Sequence, residues 1–386
     1  MTVNQRKTIR RKADYYDYNL VAVVILLTCF GLMMLYSTSA YTAEMRYGDD
    51  MYFFGKQALI SGVSVVCALI ISRVDYHILK HFTTLLYVAA AVSMLLVKTP
   101  LGVEVNGAKR WLGVGSLQFQ PSEIAKIAVI VCLPYMVVKM GRKIATWKGM
   151  AFLAAAGGFL GFLAYWATEN LSTGIIICGI TAGMIFIAHP RTKPFLIAAA
   201  ASMAVVAGGV ALLVANISVS DSSSFRIRRI LVWLRPEEYS DSSAYQIIQA
   251  LYAIGSGGFF GKGLGNSTQK LGAVPEAQND MIFSIVCEEL GIFGGAIILI
   301  LFAYLLYRLF FIAQNAPDLL GSLMVSGIFI HIALQVILNI CVVINLIPTT
   351  GITLPFVSYG GTSIMFLMAE MGLALSVARR IRFQET

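Results

Sequence analysis

The chain has 386 residues, of which 58% are hydrophobic and 13% are charged, and its mean hydropathy is +0.77. About a quarter of the residues of a soluble globular protein are charged, so this composition excludes that class and indicates a polytopic membrane protein. The formal net charge of +9 does not indicate a nucleic-acid partner, because most basic residues lie in short stretches between apolar runs, where they set membrane topology.

Ten apolar runs approach the length of a membrane-spanning helix, which needs about 20 residues. They cover residues 19–39, 52–72, 81–97, 122–140, 150–167, 171–188, 195–216, 280–308, 321–344 and 360–378. The basic stretch RKTIRRK precedes the first run and no signal-peptide cleavage site follows that run, which predicts an uncleaved anchor. Lysine and arginine favour the tails and short loops on one side of the membrane, so both termini are predicted to be cytoplasmic.

The predicted fold class is therefore an all-α polytopic membrane protein with a single domain over residues 1–386. Cytoplasmic tails are expected at 1–18 and 379–386, and a large extracellular loop, 217–279, connects the seventh and eighth helices. The cytoplasmic loops are short and basic, whereas the unusual segments lie on the outer face. We therefore expect the functional site on the extracellular side.

The first outer segment begins with a turn signal and clustered cations, in the stretch VNGAKRWLG. The dipeptide Asn106-Gly107 favours a turn. Lys109, Arg110 and Trp111 follow it. Such residues either contact lipid headgroups at the membrane boundary or belong to a functional site.

The same segment continues into FQPSEIAK, which predicts a helix start at Pro121, since proline is favoured at the first helical position. Lys126 then lies ~8 Å down the helix at 1.5 Å per residue. A charge at that depth needs a partner or must snorkel to the boundary. Asp280 and Glu288 are candidate partners, because they are expected at a similar depth in the membrane, and a bound substrate is the alternative partner.

The second outer segment, 217–279, contains two distinct patterns. The stretch SSSFRIRRILVWLRPEE alternates arginines with apolar residues, which predicts an amphipathic interfacial helix. The glycine-rich stretch AIGSGGFFGKGLGNSTQK does not satisfy the nucleotide-binding P-loop pattern, because Ser256 and Gly263 stand where glycine and Ser or Thr are required. Two alternatives stay open for it: a pliable loop that closes over a substrate, or a flexible connection.

Four acids crowd the start of the eighth run in VPEAQNDMIFSIVCEELG. A helix from residue 280 would place Asp280, Ser284, Cys287 and Glu288 on one face, with Glu289 roughly opposite. The simplest interpretation of Asp280 is an acid in the first turn of a helix. The third outer segment, 345–363, interrupts an apolar context with prolines and glycines, and such backbone is tolerated where it lines a cavity or is buried.

In these motifs the chain resembles the SEDS family (shape, elongation, division and sporulation), which includes FtsW, RodA and SpoVE. The resemblance covers roughly residues 15–380 and depends on stretches in a fixed order: NGAKRWL, FQPSEIAK, FRIRR followed by a proline and YQ, AIGSGGFFGKGLGNSTQKL, VPEAQNDMIFSIVCEELG and TGITLPFVSYGGTS. The stretches GLGNSTQK and TGITLPFVSYGG are more similar to the FtsW and SpoVE branch than to RodA. The chain departs from the family at Gln278, Asn279 and Met281, where PEAHTDFIF is frequent, and at Asn170, where an aspartate is common.

The resemblance implies a peptidoglycan glycosyltransferase that polymerises lipid II into glycan strands at the outer face of the cytoplasmic membrane, with inversion of the anomeric centre. Asp280 would be the general base. The implied candidates for binding the pyrophosphate and sugar are Lys109, Arg110, Trp111, Glu123, Lys126, Glu276, Glu288, Ser358 and Tyr359. A divalent cation, Mg²⁺ or Mn²⁺, would assist the departure of the pyrophosphate.

The resemblance also implies a class B penicillin-binding protein as transpeptidase partner, and leaves open whether the chain serves division, elongation or sporulation. Two alternative functions stay open. A lipid II flippase would place its charges near the bilayer midplane. Lys126 and Glu288 are the residues that support this hypothesis. A scaffold for the transpeptidase would not require Asp280.

Overall fold

The computed structural model describes residues 16–105, 108–114, 117–216, 225–234, 236, 244–271 and 274–382. Every one of the ten predicted apolar runs coincides with a helix. The helices are α1 (Tyr18–Tyr47), α2 (Tyr52–Arg73), α3 (Thr83–Leu96), α4 (Pro121–Met140), α5 (Trp147–Trp166), α6 (Leu171–Ala188), α7 (Lys193–Asn216), α8 (Phe225–Leu234), α9 (Tyr245–Gly257), α10 (Ile282–Asn315), α11 (Leu319–Val343) and α12 (Ser363–Ala378).

Seven helices in the described part of the chain have the length and hydropathy to cross a membrane, namely α1, α2, α4, α5, α6, α10 and α11. The apolar stretches in α3, α7 and α12 are shorter. The predicted class, an all-α polytopic membrane protein, is confirmed. Helices α8 and α9 lie inside the predicted loop 217–279, and the first of them confirms the helix expected from the arginine pattern.

A three-stranded antiparallel sheet was not predicted. Its strands are β1 (Gly102–Val105), β2 (Ala108–Val114) and β3 (Leu117–Phe119), in the order β1-β2-β3. Strand β2 is the cationic stretch AKRWLGV, and it pairs with both neighbouring strands. The predicted turn at Asn106-Gly107 falls outside the described residues.

Ion pairs hold one end of the helix bundle together. Arg308 near the end of α10 lies 2.7 Å from Asp17 before α1, and Arg380 after α12 lies 3.4 Å from Asp75 after α2. Because α1 and α10 run from this end to the opposite one, both ends of the described chain lie together, and Asp280 lies at the far end.

Helix α10 is broken at Gly291, which has φ 69° and ψ −170°. The segment 258–263 fills the break: Lys262 N donates to Glu288 O and Gly263 N donates to Glu289 O, both at 2.9 Å, while Ile292 N donates to Gly258 O at 3.0 Å. A Cβ at Gly261 would lie 2.2 Å from Glu289 O, so only glycine permits this approach. The first turns of α10 thus form a unit with the glycine-rich segment.

Candidate active site

Asp280 lies in a turn immediately before α10 rather than in its first turn, because the helix begins only at Ile282. The interpretation of Asp280 as an acid stabilised by its own helix dipole is therefore wrong. The residue is 9% exposed. Its carbonyl accepts a hydrogen bond at 2.8 Å from the side-chain amide of Asn339 in α11, which also donates to Ile352 O at 2.7 Å. One buried amide thus joins the Asp280 turn to the third outer segment.

The third outer segment, 345–363, is non-helical until α12, and it packs against the Asp280 turn. Tyr359 N donates to Gln278 O at 2.9 Å, two residues before Asp280. The Ser358 hydroxyl accepts from Leu354 N at 2.8 Å. Ser358 and Tyr359, predicted to bind substrate, are therefore also part of the local structure that shapes this turn.

Helix α8 brings a cation to the same region. Arg229 donates to Thr349 O at 3.1 Å, and the Trp233 indole donates to Asn345 O at 3.0 Å, so α8 is fixed to the third outer segment. Burial lowers the pKa of Arg229, the neighbouring Arg110 lowers it further, and Asp280 raises it. Arg110 and Asp280 therefore each lie within electrostatic range of Arg229.

The carboxyl group of Asp280 has an unusual pKa for an aspartic acid. Burial raises the pKa of Asp280 from 3.8 to about 7, an effect that its own backbone N–H opposes, that Glu276 strengthens and that Arg229 partly offsets. A carboxylate with a pKa near neutrality can accept a proton at physiological pH and release it again. This arrangement suits a general base.

The two cationic side chains of β2, Lys109 and Arg110, have different surroundings in the structure. Arg110 is half-buried and its guanidinium donates to Glu169 O at 3.5 Å, whereas Lys109 is exposed and pairs in register with Glu104 of β1. Burial lowers the pKa of Arg110, and Glu169 partly restores it. Trp111 is half-buried on the same strand. Arg110 thus lies near Arg229, which in turn interacts with Asp280.

Lys126 does not pair with Asp280 or Glu288, and that prediction is wrong. Its ammonium lies 2.9 Å from Glu123 on the preceding turn of α4, with both side chains buried. The carboxylate of Glu123, three residues earlier in the same helix, neutralises the charge of Lys126. The prediction compared only membrane depths of acids on other segments and therefore missed this partner. Glu123 and Lys126 therefore form a buried ion pair.

Glu288 and Glu289 are both fully buried, and both anchor the segment that follows α9. Glu288 accepts from the Lys262 ammonium at 2.7 Å, from the Ser267 hydroxyl and from Thr268 N at 3.2 Å. Glu288 is therefore held by the segment that follows α9, and its role in substrate binding stays a prediction.

Glu289, expected on the opposite face, reaches the same segment. Its carboxylate accepts from the Lys270 ammonium at 2.8 Å and from the Ser37 hydroxyl of α1 at 2.7 Å. Both glutamates meet segment 258–271 because that segment wraps around the broken helix. The Lys262–Glu288 and Lys270–Glu289 ion pairs fix the glycine-rich stretch to α10, and its closure over a substrate stays a prediction.

Glu276 lies at the edge of the Asp280 turn. It is exposed, has a φ of 56° and accepts from the side-chain amide of Asn279. No group of three or more His, Cys, Asp and Glu side chains suited to a metal ion occurs within the described ranges. These residues do not form a metal site by themselves, so the divalent cation stays a prediction and no chemical step is assigned to it.

Sequence reasoning missed Asn339, Gln335 and the role of Arg229. Asn339 and Gln335 are four residues apart on one face of α11, are buried, and donate to carbonyls of the third outer segment, the latter to Thr353 O at 3.0 Å. Buried amides in an apolar span were the available signal, because an unpaired amide is costly there. Arg229 was recognised only as part of an amphipathic pattern.

Comparison with known proteins gives matches over the whole described bundle. Residues 17–382 match the family of cell cycle proteins that comprises FtsW, RodA and SpoVE. The chain is 40% identical to stage V sporulation protein E of Bacillus subtilis, over 95% of this chain and 98% of that protein. It is 33% identical to a probable peptidoglycan glycosyltransferase FtsW of Geobacter sp. (strain M18), over 96% and 99%.

Solved structures agree with these matches. One chain, from work on the structural coordination of polymerization and crosslinking by a peptidoglycan synthase complex, superposes with a TM-score of 0.78 at 27% identity, and covers 96% of this chain and 99% of that one. The rod shape determining protein RodA of Thermus thermophilus superposes with a TM-score of 0.66 at 26% identity, over 96% and 98%.

Proposed function

Since the chain belongs to the FtsW, RodA and SpoVE family and is a peptidoglycan glycosyltransferase, we propose that Asp280 is the general base of its glycosyl transfer. The SEDS resemblance noted in the sequence is confirmed, and the chain is a multi-pass membrane protein. The observation that carries the proposal is the raised pKa of Asp280, about 7, at a turn held by Asn339 and Tyr359.

The proposed substrate is lipid II, whose lipid tail keeps it in the bilayer. The sugar 4-hydroxyl of one molecule gives its proton to the Asp280 carboxylate as its oxygen forms a bond to the anomeric carbon of the donor chain. The bond from that carbon to the pyrophosphate breaks, and the lipid pyrophosphate leaves with the electron pair. Attack from the opposite face inverts the anomeric centre, so an α-linked donor gives a β-linked strand.

Cations near Asp280 favour departure of the pyrophosphate, because fixed positive charge stabilises the negative charge that develops on it. Arg229 fits this role, since it lies within electrostatic range of Asp280, and Arg110 fits it as the cation next to Arg229; burial partly desolvates both. Lys109 and Trp111, on the same strand as Arg110, extend the predicted contact with substrate. The Glu123–Lys126 pair would supply a further cation only where the phosphate competes with Glu123 for it.

The active site is proposed to face the outside of the cell, with both termini in the cytoplasm. The short basic loops support this orientation, and both described chain ends lie at the end of the bundle opposite Asp280. The flippase alternative depended on Lys126 and Glu288, and each of them forms an ion pair with a neighbouring residue. A transported lipid would have to break those pairs.

The proposed partner is a class B penicillin-binding protein. The support is the similarity to a chain from a peptidoglycan synthase complex that coordinates polymerization and crosslinking. Full activity of the purified chain alone, together with no co-purifying transpeptidase, would contradict dependence on such a partner.

The experiment that tests the general base compares wild-type protein with Asp280→Asn in a lipid II polymerisation assay. Asparagine is nearly isosteric but cannot accept the proton, and a positioned general base contributes ~10²–10⁴-fold. We expect glycan strand formation to fall by at least about a hundredfold while lipid II binding persists. A folded Asp280→Asn protein that retains more than about a tenth of the wild-type rate contradicts the assignment.

A further inference from the structure

Four aromatic rings form a continuous stack at the outer ends of α1 and α2. Tyr47 and Tyr52 lie nearly parallel, with ring centroids 4.0 Å apart and 13° between the planes. Phe53 meets both of them edge-on, at 5.7 Å and 5.4 Å. Phe53 also meets Tyr359 edge-on at 5.4 Å. The stack therefore runs from the turn between α1 and α2 to the third outer segment.

The inner end of this stack adjoins the proposed active site. Tyr359 is the residue whose N–H holds Gln278 O, two positions before Asp280. Burial raises the pKa of Tyr359, and the nearby phenols of Tyr52 and Tyr47 raise it further. The three tyrosine side chains thus converge beside the turn that carries the general base.

The outer end of the stack is open. Tyr47 is 52% exposed and Tyr52 is 39% exposed, so ring surface and hydroxyl groups remain accessible. Next to them, Asp49 is exposed and Asp50 accepts a hydrogen bond from the Tyr36 hydroxyl at 3.0 Å. Tyrosines at a membrane boundary usually anchor a helix at the headgroups. Rings that stack on one another and converge on Tyr359 are not arranged as separate anchors.

Buried polar groups lie below the stack on α2. Gln57 is one helical turn beyond Phe53, and Ser61 is one turn further on the same face. Each is 3% exposed, and Gln57 Oε1 and Ser61 Oγ have no hydrogen-bond partner among the described residues. A buried polar atom without a partner costs about 1–3 kcal/mol, so these two atoms need a hydrogen-bond partner that the described residues do not supply.

We propose that Tyr47, Tyr52, Phe53 and Tyr359 form a saccharide-binding subsite that holds an N-acetylated segment of the glycan strand beside Asp280. Sugar rings present C–H faces that pack on aromatic rings, and their hydroxyl and amide groups pair with phenols and with a buried amide such as Gln57. The stack itself contains no cation, so it suits the neutral sugar rather than the pyrophosphate. The inference rests on the proposed function, because glycan polymerisation requires the strand to stay bound between additions.

The first experiment measures binding without catalysis. A β-1,4-linked tetrasaccharide of N-acetylglucosamine is titrated into the full-length protein in nanodiscs, and binding is followed by saturation-transfer NMR. We expect the double variant Tyr47→Ala/Tyr52→Ala to bind at least about tenfold more weakly than wild type. The variant Tyr47→Phe/Tyr52→Phe keeps the rings and should lose less affinity. If the alanine variant does not fold, the phenylalanine variant still tests the contribution of the hydroxyl groups.

The matched control is Tyr41→Ala, which removes an exposed tyrosine near the same end of α1 but outside the stack. It should bind the tetrasaccharide as wild type does. An equal loss in Tyr41→Ala would show that membrane anchoring, and not sugar contact, is what the tyrosines supply. No binding to wild type at millimolar tetrasaccharide, or a change below threefold in both double variants, would overturn the subsite.

The second experiment measures strand length. The alanine double variant should release strands several-fold shorter than those of wild type, and unchanged strand length would contradict the proposal. Asp280→Asn separates the two hypotheses: it should abolish polymerisation and leave tetrasaccharide binding intact. If Asp280→Asn remains active, the general-base assignment is wrong. The subsite is then still tested by the binding titration.

Discussion

The pH dependence of glycan polymerisation follows from the environment of Asp280. Its carboxyl must be ionised to accept a proton, and burial raises its pKa to about 7. With that value, roughly a tenth of the protein carries the base at pH 6 and roughly nine tenths at pH 8. We therefore expect kcat/KM for lipid II to rise about tenfold between these pH values and then level off. An ordinary carboxyl, ionised throughout this range, would give a flat profile.

Two neighbours of Asp280 allow the sign of the effect to be checked. Glu276 raises the pKa of Asp280 and Arg229 lowers it. Glu276→Gln should therefore move the acid limb of the profile to lower pH, and Arg229→Gln should move it to higher pH. Arg229→Lys keeps the positive charge, so its profile should stay near that of wild type. The assay is the initial rate of strand formation at subsaturating lipid II.

A flat profile between pH 6 and 8, or variants that both move the limb in the same direction, would refute this reasoning. Stability gives an independent readout. Because the pKa of Asp280 is raised on folding, the stability associated with its neutral form is complete below about pH 4 and declines as the pH rises to about 7. Asp280→Asn cannot ionise, so its advantage in melting temperature over wild type should grow across that window and then stay constant.

Asn339→Leu should lower turnover more than lipid II binding, because it leaves the Asp280 and Ile352 carbonyls unpaired, at about 1–3 kcal/mol each; unchanged kcat would exclude a positioning role. Lys126→Met should destabilise the protein by about 3–5 kcal/mol by leaving Glu123 buried without its partner, and Lys126→Met with Glu123→Gln should recover most of the melting temperature. If the double change gives no recovery, the pair is not what stabilises α4. A cysteine at Asp49 should react with an impermeant maleimide on intact cells and one at Lys143 should not; the reverse pattern would invert the topology.

Most of the helices could be predicted because membrane crossing is a local property of the sequence. An apolar run of about 20 residues must satisfy its own backbone in lipid, and it does so by forming a helix. The start of α4 at Pro121 and the helix at α8 were predictable for similarly local reasons. Asp280 was identified through its motif, and its raised pKa required the structure.

The partners of buried charges could not be predicted in the same way, since they depend on contacts far apart in the chain. Ser37 and Glu289 are 252 positions apart, and nothing near either residue indicates the other. Helical periodicity placed Glu288 with Asp280 and Glu289 opposite, but it could not anticipate a segment that wraps around the helix at a glycine break. Lys126 shows the converse error, because its partner, Glu123, was local and a distant one was expected.

Asp280, Glu288 and Glu289 have different roles because their surroundings differ, although they lie within ten residues of each other. Glu288 and Glu289 are fully buried and each accepts an ammonium, so they fix the first turns of α10 to segment 258–271 and to α1. Those turns would otherwise be free to reorient, since Gly291 interrupts the helix behind them. Asp280, immediately before them, is held through its backbone by Asn339, and its carboxyl group keeps a pKa of about 7. The two neutralised acids therefore provide the rigid support that lets the third exchange a proton at a fixed position.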